Sequence, residues 1–322
     1  MVSGDILLER NRLADRFRGS LLGVAVGDAL GAVLEGKAMS DGASLAEWRT
    51  KPPFPLRYTD DTHMTLATAR SLVECRGFDC EHMADTLANQ YEREPWRGYG
   101  RGPPRVFSAM RHGKRSEDAA RELFGGRGSY GNGGAMRAAP IGLLYCRDPG
   151  RAAELARAAA RITHAHPVGQ DGAGLQAAAI SEILTLTATQ KVDGDILTAR
   201  LRNHTSTRSF RTSLDAIESI GDAGSMTVVE KLGNGVEAHR SVPTSLYAFL
   251  RHHDSFSNAV LFALSLGGDA DTIGSMTGAL AGAALGASAI PRSWAESVEG
   301  REELLDLADK LLDLVLSNFA VD

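Results

Sequence analysis

Two short acidic clusters carry the residues of this sequence that are best suited to chemistry. Residues 59–62 read Thr-Asp-Asp-Thr, and much further along the chain residues 269–272 read Asp-Ala-Asp-Thr. Either cluster alone is weak evidence, because an Asp or Thr at the start of a helix is more often a cap than a ligand. Two oxygen-rich clusters that both begin helices predict two halves of one site.

The charges of such a site indicate what it must hold. Carboxylates about 4 Å apart repel by roughly 4 kcal/mol per pair at an effective dielectric constant of about 20, and a marginally stable fold needs compensation for that repulsion. Divalent cations are the natural compensation. Because the clusters offer carboxylate and hydroxyl oxygens, with no cysteine and no required histidine, they favour Mg²⁺ or Mn²⁺ over zinc.

Helices are the elements that must position these clusters. Apolar residues recur at three- and four-residue spacing in residues 21–33, 64–73, 152–162, 173–186 and 304–316. Strand-like alternation bounded by tight turns is scarce, and neither a repeat nor a low-complexity linker divides the chain. We therefore predict an all-α fold, a single compact helical domain over residues 1–322 with a metal site at helix N-termini.

Local signals predict where some of these helices begin. Thr59 stands just before an apolar-periodic run and is predicted to cap it, which places Asp60 and Asp61 in the first helical turn. Acidic groups at that position also interact favourably with the helix dipole. Asp148, which is followed by a proline, is predicted to begin another helix.

Two glycine-rich segments, residues 98–100 and 128–134, suit an anionic, nucleotide-like ligand. Glycines let backbone N–H groups approach a phosphate closely, although such a run is more often only a loop. The second segment leads into a predicted helix over residues 135–144, whose N-terminus would strengthen phosphate binding.

The composition is that of an ordinary globular protein, with 43% hydrophobic and 23% charged residues. A formal net charge of -5 lacks the basic excess that nucleic-acid binders show, so we expect no direct sequence-specific nucleic-acid binding. Cys75, Cys80 and Cys146 form an odd set without C-x-x-C spacing, which predicts neither a disulfide framework nor a zinc site. Residues 1–18 do not resemble a signal peptide, and we expect a cytoplasmic protein.

Residues 273–290 carry no charge and are about as long as a membrane-spanning helix. Gly278, Gly282 and Gly286 have the G-x-x-x-G spacing that promotes helix pairing in lipid. However, the stretch contains few of the Leu, Ile, Val and Phe residues that favour insertion. We therefore predict a small-residue helix packed tightly at the centre of the protein, and no membrane partner.

Several stretches together resemble the ADP-ribosylglycohydrolase family, which is named for the enzyme that reactivates dinitrogenase reductase. The five that carry the resemblance are residues 19–31, 58–62, 124–137, 162–164 and 267–273. Residues 232–235 and 241–244 extend it over nearly the whole chain. Such a set is very unlikely to occur by chance.

The resemblance implies an all-α enzyme, a single compact orthogonal helical domain with a di-metal site at helix N-termini that binds two Mg²⁺ ions, with Mn²⁺ as the other possible ion. The metal ligands that it implies are Thr59, Asp60, Asp61, Asp269, Asp271 and Thr272. Ala270 occupies a position where a small hydroxyl residue is also common in the family, so we expect its side chain not to be a ligand. This assignment agrees with the charge argument above.

Glu35 follows the Gly27-Asp28-x-x-Gly31 turn and matches a carboxylate that lies near the scissile bond in branches acting on serine-linked ADP-ribose and poly(ADP-ribose). From its position alone Glu35 could equally be a solvated surface acid. The flanking match favours a function, either in proton handling or as a movable gate over the metals. The catalytic residues implied are Glu35, Asp60, Asp61 and Asp269.

By the same resemblance, Ser129 and Tyr130 lie along the pyrophosphate, Phe124 stacks near the adenine, and His164 contacts the ligand rather than a metal. The predicted substrate-binding residues are Gly98, Tyr99, Gly100, Phe124, Gly128, Ser129, Tyr130, Gly131, Asn132 and His164. The expected partners are ADP-ribose, ADP-ribosylated proteins and small ADP-ribose conjugates, and we expect a monomer.

The expected reaction is hydrolysis of the bond from the ribose anomeric carbon through an oxocarbenium-like transition state. O-linked ADP-ribose leads as substrate: serine-ADP-ribose, with poly(ADP-ribose) and O-acetyl-ADP-ribose as further O-linked substrates. The alternative is ADP-ribosyl-arginine. A third interpretation, a non-catalytic relative that only binds ADP-ribose, is disfavoured because such proteins usually lose metal ligands, and every acidic ligand is present here.

Overall fold

The computed structural model describes residues 2–40, 45–187 and 189–317 of the chain. Within these ranges the protein forms sixteen α-helices and no β-strand, with isolated bridges only between Leu56 and Val298 and between Gly131 and Glu237. The predicted all-α fold is confirmed. The predicted domain begins at Met1 and ends at Asp322, which both lie outside the described residues.

The helices follow one another through short turns and loops. In chain order they are α1 (Val2–Gly31), α2 (Asp60–Glu74), α3 (Cys80–Arg93), α4 (Pro103–Arg111), α5 (Ser116–Gly126), α6 (Ala139–Leu144), α7 (Pro149–Arg161), α8 (Pro167–Leu184), α9 (Gly194–Arg202), α10 (Arg208–Ile220), α11 (Ser225–Lys231), α12 (Ala238–Arg251), α13 (Phe256–Ser265), α14 (Ala270–Leu285), α15 (Arg292–Ser297) and α16 (Arg301–Ser317). Three short 3-10 turns are Glu47–Arg49, Asn132–Gly134 and Ala287–Ala289.

The helix starts predicted from local signals are confirmed. Thr59 precedes α2, and its side chain accepts a hydrogen bond from the backbone N–H of Asp61. Asp148 caps α7 by accepting from the backbone N–H of Arg151. Each cap satisfies a backbone donor that the first helical turn leaves without a partner.

The helix predicted over residues 135–144 is corrected by the structure. Asn132–Gly134 forms a 3-10 turn, and α6 begins only at Ala139. The carbonyl of Asn132 accepts from the backbone N–H groups of Ala135 and Met136, which closes a separate turn before the helix. The glycine-rich segment therefore does not lead directly into a helix N-terminus, and that part of the phosphate-binding argument is wrong.

Helices α1 and α14 pack against each other along a seam of glycines at the centre of the fold. Gly19, Gly23 and Gly27 on α1 face Gly282, Gly278 and Gly274 on α14, in reverse order, so the helices run antiparallel. Residues of α14 are almost all buried. This burial and the glycine contacts confirm the prediction of a tightly packed small-residue helix. None of the described helices is long and apolar enough to cross a membrane.

This seam determines which ends of the two helices meet. Gly31, the last residue of α1, lies against the backbone of Ala270 and Asp271, the first two residues of α14. Around this pair, one large cluster of buried apolar side chains draws on residues from Phe17 to Val315. That continuity supports the single-domain prediction, which stays a prediction.

We expect Gly278→Ala to destabilise the protein, because a methyl group there would overlap the carbonyl oxygen of Gly23. Overpacking of this kind lowers the free energy of unfolding by typically 1–3 kcal/mol, and rigid backbone on both sides puts this site at the upper end, about 3 kcal/mol. Chemical denaturation measures the change. Gly224→Ala is the matched control, since open space surrounds Gly224, and equal stability of both variants would contradict the close seam.

Candidate active site

The structure brings the two acidic clusters together at the N-termini of α2 and α14. The hydroxyl of Thr272 lies 3.3 Å from Oδ2 of Asp61 and donates to it, across 211 positions of the sequence. The hydroxyl of Thr59 lies 3.2 Å from the same carboxylate oxygen. The clusters therefore form one site, as their shared chemistry predicted.

Glu35 joins this site from the turn that follows α1. Carboxylate oxygens of Glu35, Asp269 and Asp271 all lie within 4.8 Å of one another. Glu35 is exposed, whereas Asp269 and Asp271 are buried. The turn is fixed to the second cluster by backbone hydrogen bonds: the N–H of Gly36 donates to the carbonyl of Gly268, and the N–H of Gly268 donates to the carbonyl of Lys37.

Burial, together with crowding, raises the pKa of the aspartates at this site. Burial, followed by repulsion from Asp28, raises the pKa of Asp60 to about 7. Burial, followed by repulsion from Asp269, raises the pKa of Asp271 to about 9. The pKa of Asp61 is raised well above its ordinary value, again mainly by burial. Without a compensating cation, this site resists carrying its full negative charge.

The donor set fits a hard divalent cation. Oδ1 of Asp61 is buried and has no hydrogen-bond partner within the described ranges of the chain. A buried oxygen without a partner is costly, and a cation placed among oxygen ligands would satisfy it. The hydroxyls of Thr59 and Thr272 lie close to the other oxygen of Asp61. The predicted ligands are Thr59, Asp60, Asp61, Asp269, Asp271 and Thr272. Their assignment as ligands stays a prediction.

Asp28 is the most buried acid of the site, and the sequence analysis assigned it no role. Asp28 lies inside α1, and its carboxylate accepts hydrogen bonds from four groups. The donors are the backbone N–H and the hydroxyl of Thr59 and of Thr62, at distances of 2.6 to 2.9 Å. Burial raises the pKa of Asp28 to about 6. Asp28 thereby holds the start of α2 against α1. A single acid within an otherwise apolar run was the signal available in the sequence.

We expect Asp28→Ala to lower the free energy of unfolding by about 3 kcal/mol, because two buried donors of Thr62 and two part-buried donors of Thr59 lose their acceptor. Asp28→Asn keeps one acceptor oxygen and should be less destabilising. Thermal and chemical denaturation of both variants measure the difference. An Asp28→Ala protein as stable as the parent would show that Asp28 does not hold the start of α2.

The first glycine-rich segment lies beside the first acidic cluster. A Cβ built on Gly98 would lie 3.7 Å from Oδ1 of Asp60. The hydroxyl of Tyr99 shares a hydrogen bond of 2.9 Å with Nδ1 of His63 on α2. Burial lowers the pKa of His63 to about 4, so the imidazole is neutral at pH 7. His63, which the sequence analysis did not select, fixes the position of this loop relative to Asp60.

The second glycine-rich segment lies beside the second acidic cluster. Asn132 is buried, and its amide nitrogen donates to Oδ2 of Asp269 and to the hydroxyl of Ser241. Asn132 was predicted to bind substrate, and its contacts show that it orients Asp269. Ser129 accepts a hydrogen bond from the backbone N–H of Gly131, which shapes the turn before it.

His164 is buried against the second glycine-rich segment, close to Gly131 and Gly133. Its Nδ1 shares a hydrogen bond of 2.8 Å with the hydroxyl of Thr163. Burial lowers the pKa of His164 to about 3, with a smaller contribution from Arg137. A neutral imidazole can donate one hydrogen bond and accept another. The contact of His164 with the ligand stays a prediction.

A cavity of about 300 Å³ opens next to these residues. Phe124 and Tyr130 line it together with His166 and Val236. Phe124 has a left-handed backbone conformation, with φ of 53°, and 43% of its surface is exposed. The ring of Tyr130 packs edge-on against His166. His166, to which the sequence analysis assigned no function, also lines this cavity. It lies there with Phe124, the residue predicted to stack near the adenine.

Comparisons with known proteins find similarity to one group of enzymes. The family model for ADP-ribosylglycohydrolase matches residues 9–319. The "ADP-ribosylhydrolase ARH3" of Homo sapiens is 37% identical, with 93% of each chain covered, and that of Gallus gallus is 35% identical, with 97% of each covered. The "ADP-ribosyl-[dinitrogen reductase] glycohydrolase" of Rhodospirillum rubrum is 29% identical, with 90% of this chain and 92% of that one covered.

A solved structure described as an "ADP-ribosylglycohydrolase-related protein complex" superimposes with a TM-score of 0.74. It is 30% identical, and the match covers 94% of this chain and 99% of that one. Sequence and fold thus agree along nearly the whole chain.

Proposed function

The chain belongs to the ADP-ribosylglycohydrolase family and is an ADP-ribosyl hydrolase, and from that premise we propose a Mg²⁺-dependent enzyme that cleaves O-linked ADP-ribose. Serine-ADP-ribose is the leading substrate, with poly(ADP-ribose) and O-acetyl-ADP-ribose as further substrates of the same class. The observation that supports this proposal best is the position of Glu35. Its exposed carboxylate has an oxygen within 4.8 Å of oxygens of Asp269 and Asp271, in the site where Asp61 and Thr272 are hydrogen-bonded.

The family is metal-dependent, and the finer proposal concerns which ion is bound and how many. Two Mg²⁺ ions, or Mn²⁺ in their place, would be held by Thr59, Asp60, Asp61, Asp269, Asp271 and Thr272. Two divalent charges would offset the repulsion that raises the pKa values of the buried carboxyl groups. When bound, such ions supply charge stabilisation to sugar oxygens and acidify water.

The chain's own residues provide orientation and proton transfer. Glu35 is the exposed acid of the cluster, so its carboxylate is free to exchange a proton with a substrate. In the proposed reaction the bond from the anomeric carbon to the acceptor oxygen breaks, and a water oxygen bonds to that carbon. One proton leaves the water and one reaches the departing oxygen, and Glu35 handles one of these transfers. Asn132 keeps Asp269 in place meanwhile.

The site's walls support an ADP-ribose ligand. We propose that the turn at Ser129 and Tyr130 lies along the pyrophosphate, and Phe124 offers an exposed ring to an adenine. The turn leads to Asn132, whose amide contacts Asp269 of the second acidic cluster. We propose that ADP-ribosylated proteins and small ADP-ribose conjugates are the partners, bound by a monomer.

The decisive test is a release assay with serine-linked, arginine-linked and polymer-linked ADP-ribose side by side. We expect release from the serine conjugate in Mg²⁺, no release in a chelator, and recovery when Mg²⁺ or Mn²⁺ is restored. Release from the arginine conjugate alone would establish the alternative function, ADP-ribosyl-arginine hydrolysis. Full activity in a chelator would refute the metal requirement.

Free ADP-ribose should bind in the micromolar range as a product inhibitor, since the surfaces that hold it do not involve the acceptor. We expect Phe124→Ala to weaken this binding by about 1 kcal/mol, roughly fivefold, if the ring stacks on the adenine. Calorimetry in Mg²⁺ measures both values. Ile196→Ala removes another exposed apolar side chain elsewhere and should leave binding unchanged. Unaltered affinity in Phe124→Ala would remove the ring from the adenine site.

A further inference from the structure

A second cavity, of about 450 Å³, lies outside the acidic site, where the starts of α10 and α12 meet the end of α11. Its lining includes Arg208, Lys231 and Arg240, with Glu230 as the opposing acid. The three cationic side chains have no ion-pair partner in the described part of the chain. Neighbouring Arg202, by contrast, is paired with acids on α10. We call the space bounded by these residues the basic cavity.

His239 adds a buried polar group to the basic cavity. It lines the cavity, and its Nδ1 is buried without a hydrogen-bond partner among the described residues. The hydroxyl of Ser213 donates to the carbonyl of His239 at 3.2 Å, which fixes the start of α12 beside α10. Because Nδ1 is covered by protein, the half-buried imidazole of His239 can report on a ligand in the cavity, and the three unpaired cations carry the case for an anion.

The nearby acid Asp171 does not cancel this positive charge. It accepts hydrogen bonds from Thr207 at the start of α10, but it is also paired with Arg157 at 2.8 Å. The net balance of the cavity lining is therefore three cations against Glu230. Arginine guanidinium groups recognise phosphoryl oxygens through paired N–H donors, and lysine adds a point charge.

The basic cavity shares one wall with the catalytic site. Both ends of the segment 232–240 line the cavity. The middle of the segment contacts the second acidic cluster and the second glycine-rich segment. The carbonyl of Asn234 accepts from the backbone N–H of Asp269 at 2.8 Å, and the carbonyl of Val236 accepts from that of Asn132 at 2.9 Å. A ligand in the basic cavity would thus lie behind the segment that positions Asp269.

We propose that the basic cavity is a second binding site, for a phosphoryl group, held by Arg208, Lys231 and Arg240. This site is separate from the catalytic site and does not depend on which linkage the enzyme cleaves. The phosphoryl group can come from a free anion or from an ADP-ribose unit further along a polymer whose end occupies the catalytic site. Both sources present phosphoryl oxygens to the same cationic side chains. Only binding of a polymer unit would affect hydrolysis of an oligomeric substrate.

The first experiment titrates inorganic phosphate into the full chain with Mg²⁺ and saturating ADP-ribose, at constant ionic strength, and follows the imidazole NMR signal of His239. His239→Gln identifies the signal. We expect a saturable shift with half-saturation in the millimolar range. The double variant Lys231→Gln with Arg240→Gln should raise the half-saturating concentration at least about tenfold.

The matched control removes the same charge elsewhere, through Lys51→Gln with Lys191→Gln, two exposed lysines without ion pairs among the described residues. We expect less than about a twofold change in this control, because screened distant charges act weakly. The stem of Arg240 packs over Gly233, so Lys231→Gln alone, with about threefold weaker binding, serves if the double variant unfolds. No saturable shift, or equal weakening in the control, would overturn the proposal.

The second experiment separates the two sources and rests on the proposed function. KM is measured with a monomeric serine conjugate and with an oligomer of ADP-ribose. If the site binds a further unit of the polymer, the Lys231 and Arg240 double variant raises KM for the oligomer about tenfold and leaves that for the monomer unchanged. If the site binds a free anion, both values stay unchanged while phosphate binding is lost. Failure of turnover with every substrate leaves the NMR result intact.

Discussion

Asp269→Asn and Asp271→Asn should each lose most turnover while the protein stays folded. Each change removes one negative charge from the cluster that includes Glu35 and leaves the side-chain size unchanged. If these carboxylates hold the ions, loss of one charged ligand removes several kcal/mol of transition-state stabilisation, which is roughly a hundredfold or more in kcat/KM. Steady-state assays in Mg²⁺ measure the loss of turnover, and circular dichroism spectra of the same samples show whether each variant is folded.

Although these substitutions should lower turnover, they should make the folded protein more stable when no divalent cation is present. Burial and repulsion raise the pKa of Asp271 from 3.8 to about 9 in the folded protein. A carboxyl group whose pKa is raised by folding contributes its stability below pH 3.8, and that contribution is lost as the pH rises through the folded value. In a chelator, the melting temperature of the parent should therefore fall between about pH 4 and about pH 9.

Asp271→Asn should show a smaller fall over that range, and added Mg²⁺ should stabilise the parent more than the variant, since an ion that binds only the native state stabilises it by mass action. Asp85→Asn, an exposed change on α3, is the control and should follow the parent. Parent-like turnover by Asp269→Asn or Asp271→Asn would refute the two-metal assignment, whatever the melting curves show.

The second large effect concerns Glu35. Glu35→Gln should cut turnover of serine-linked substrate by roughly a hundredfold or more, the range for losing a positioned proton carrier. Ground-state binding should change little, because the substituted side chain keeps its size and the adenine and pyrophosphate surfaces are untouched. Single-turnover release and calorimetry with ADP-ribose measure chemistry and binding separately.

Glu81→Gln, on the exposed first turn of α3, is the matched control and should behave like the parent. A Glu35→Gln enzyme that binds ADP-ribose normally but releases nothing would support the assignment. Parent-rate cleavage by that variant would make Glu35 a bystander, despite its oxygens lying within 4.8 Å of those of Asp269 and Asp271.

Glu35 also shows why the site could be only partly predicted from residue types. As an isolated acid after a glycine-rich helix end, it could have been a surface residue, and only its flanking match to the family suggested a function. Its position is decided by the glycine seam, which brings the end of α1 to the start of α14. Small residues indicate close packing in a sequence, but they do not identify the partner helix.

The sequence by itself determined the helical fold and the local starts of its helices. Helical periodicity and N-terminal caps depend on residues a few positions apart, so Thr59 could be placed correctly without any tertiary information. The failed prediction of a helix from residue 135 shows the limit of that reasoning. There, the guanidinium of buried Arg137 bonds to the carbonyls of Gly133 and Ala159, and those contacts require segments distant from each other in sequence.

Only the tertiary structure revealed the residues that position the site. Asp28 binds Thr59 and Thr62 from another helix, and Asn132 orients Asp269 across 137 positions. Such partners are chosen by packing, because a buried polar group takes whichever donor or acceptor the fold brings within hydrogen-bond distance. Residue type can mark a ligand for a cation, but the groups that hold that ligand in place are decided by how the helices meet.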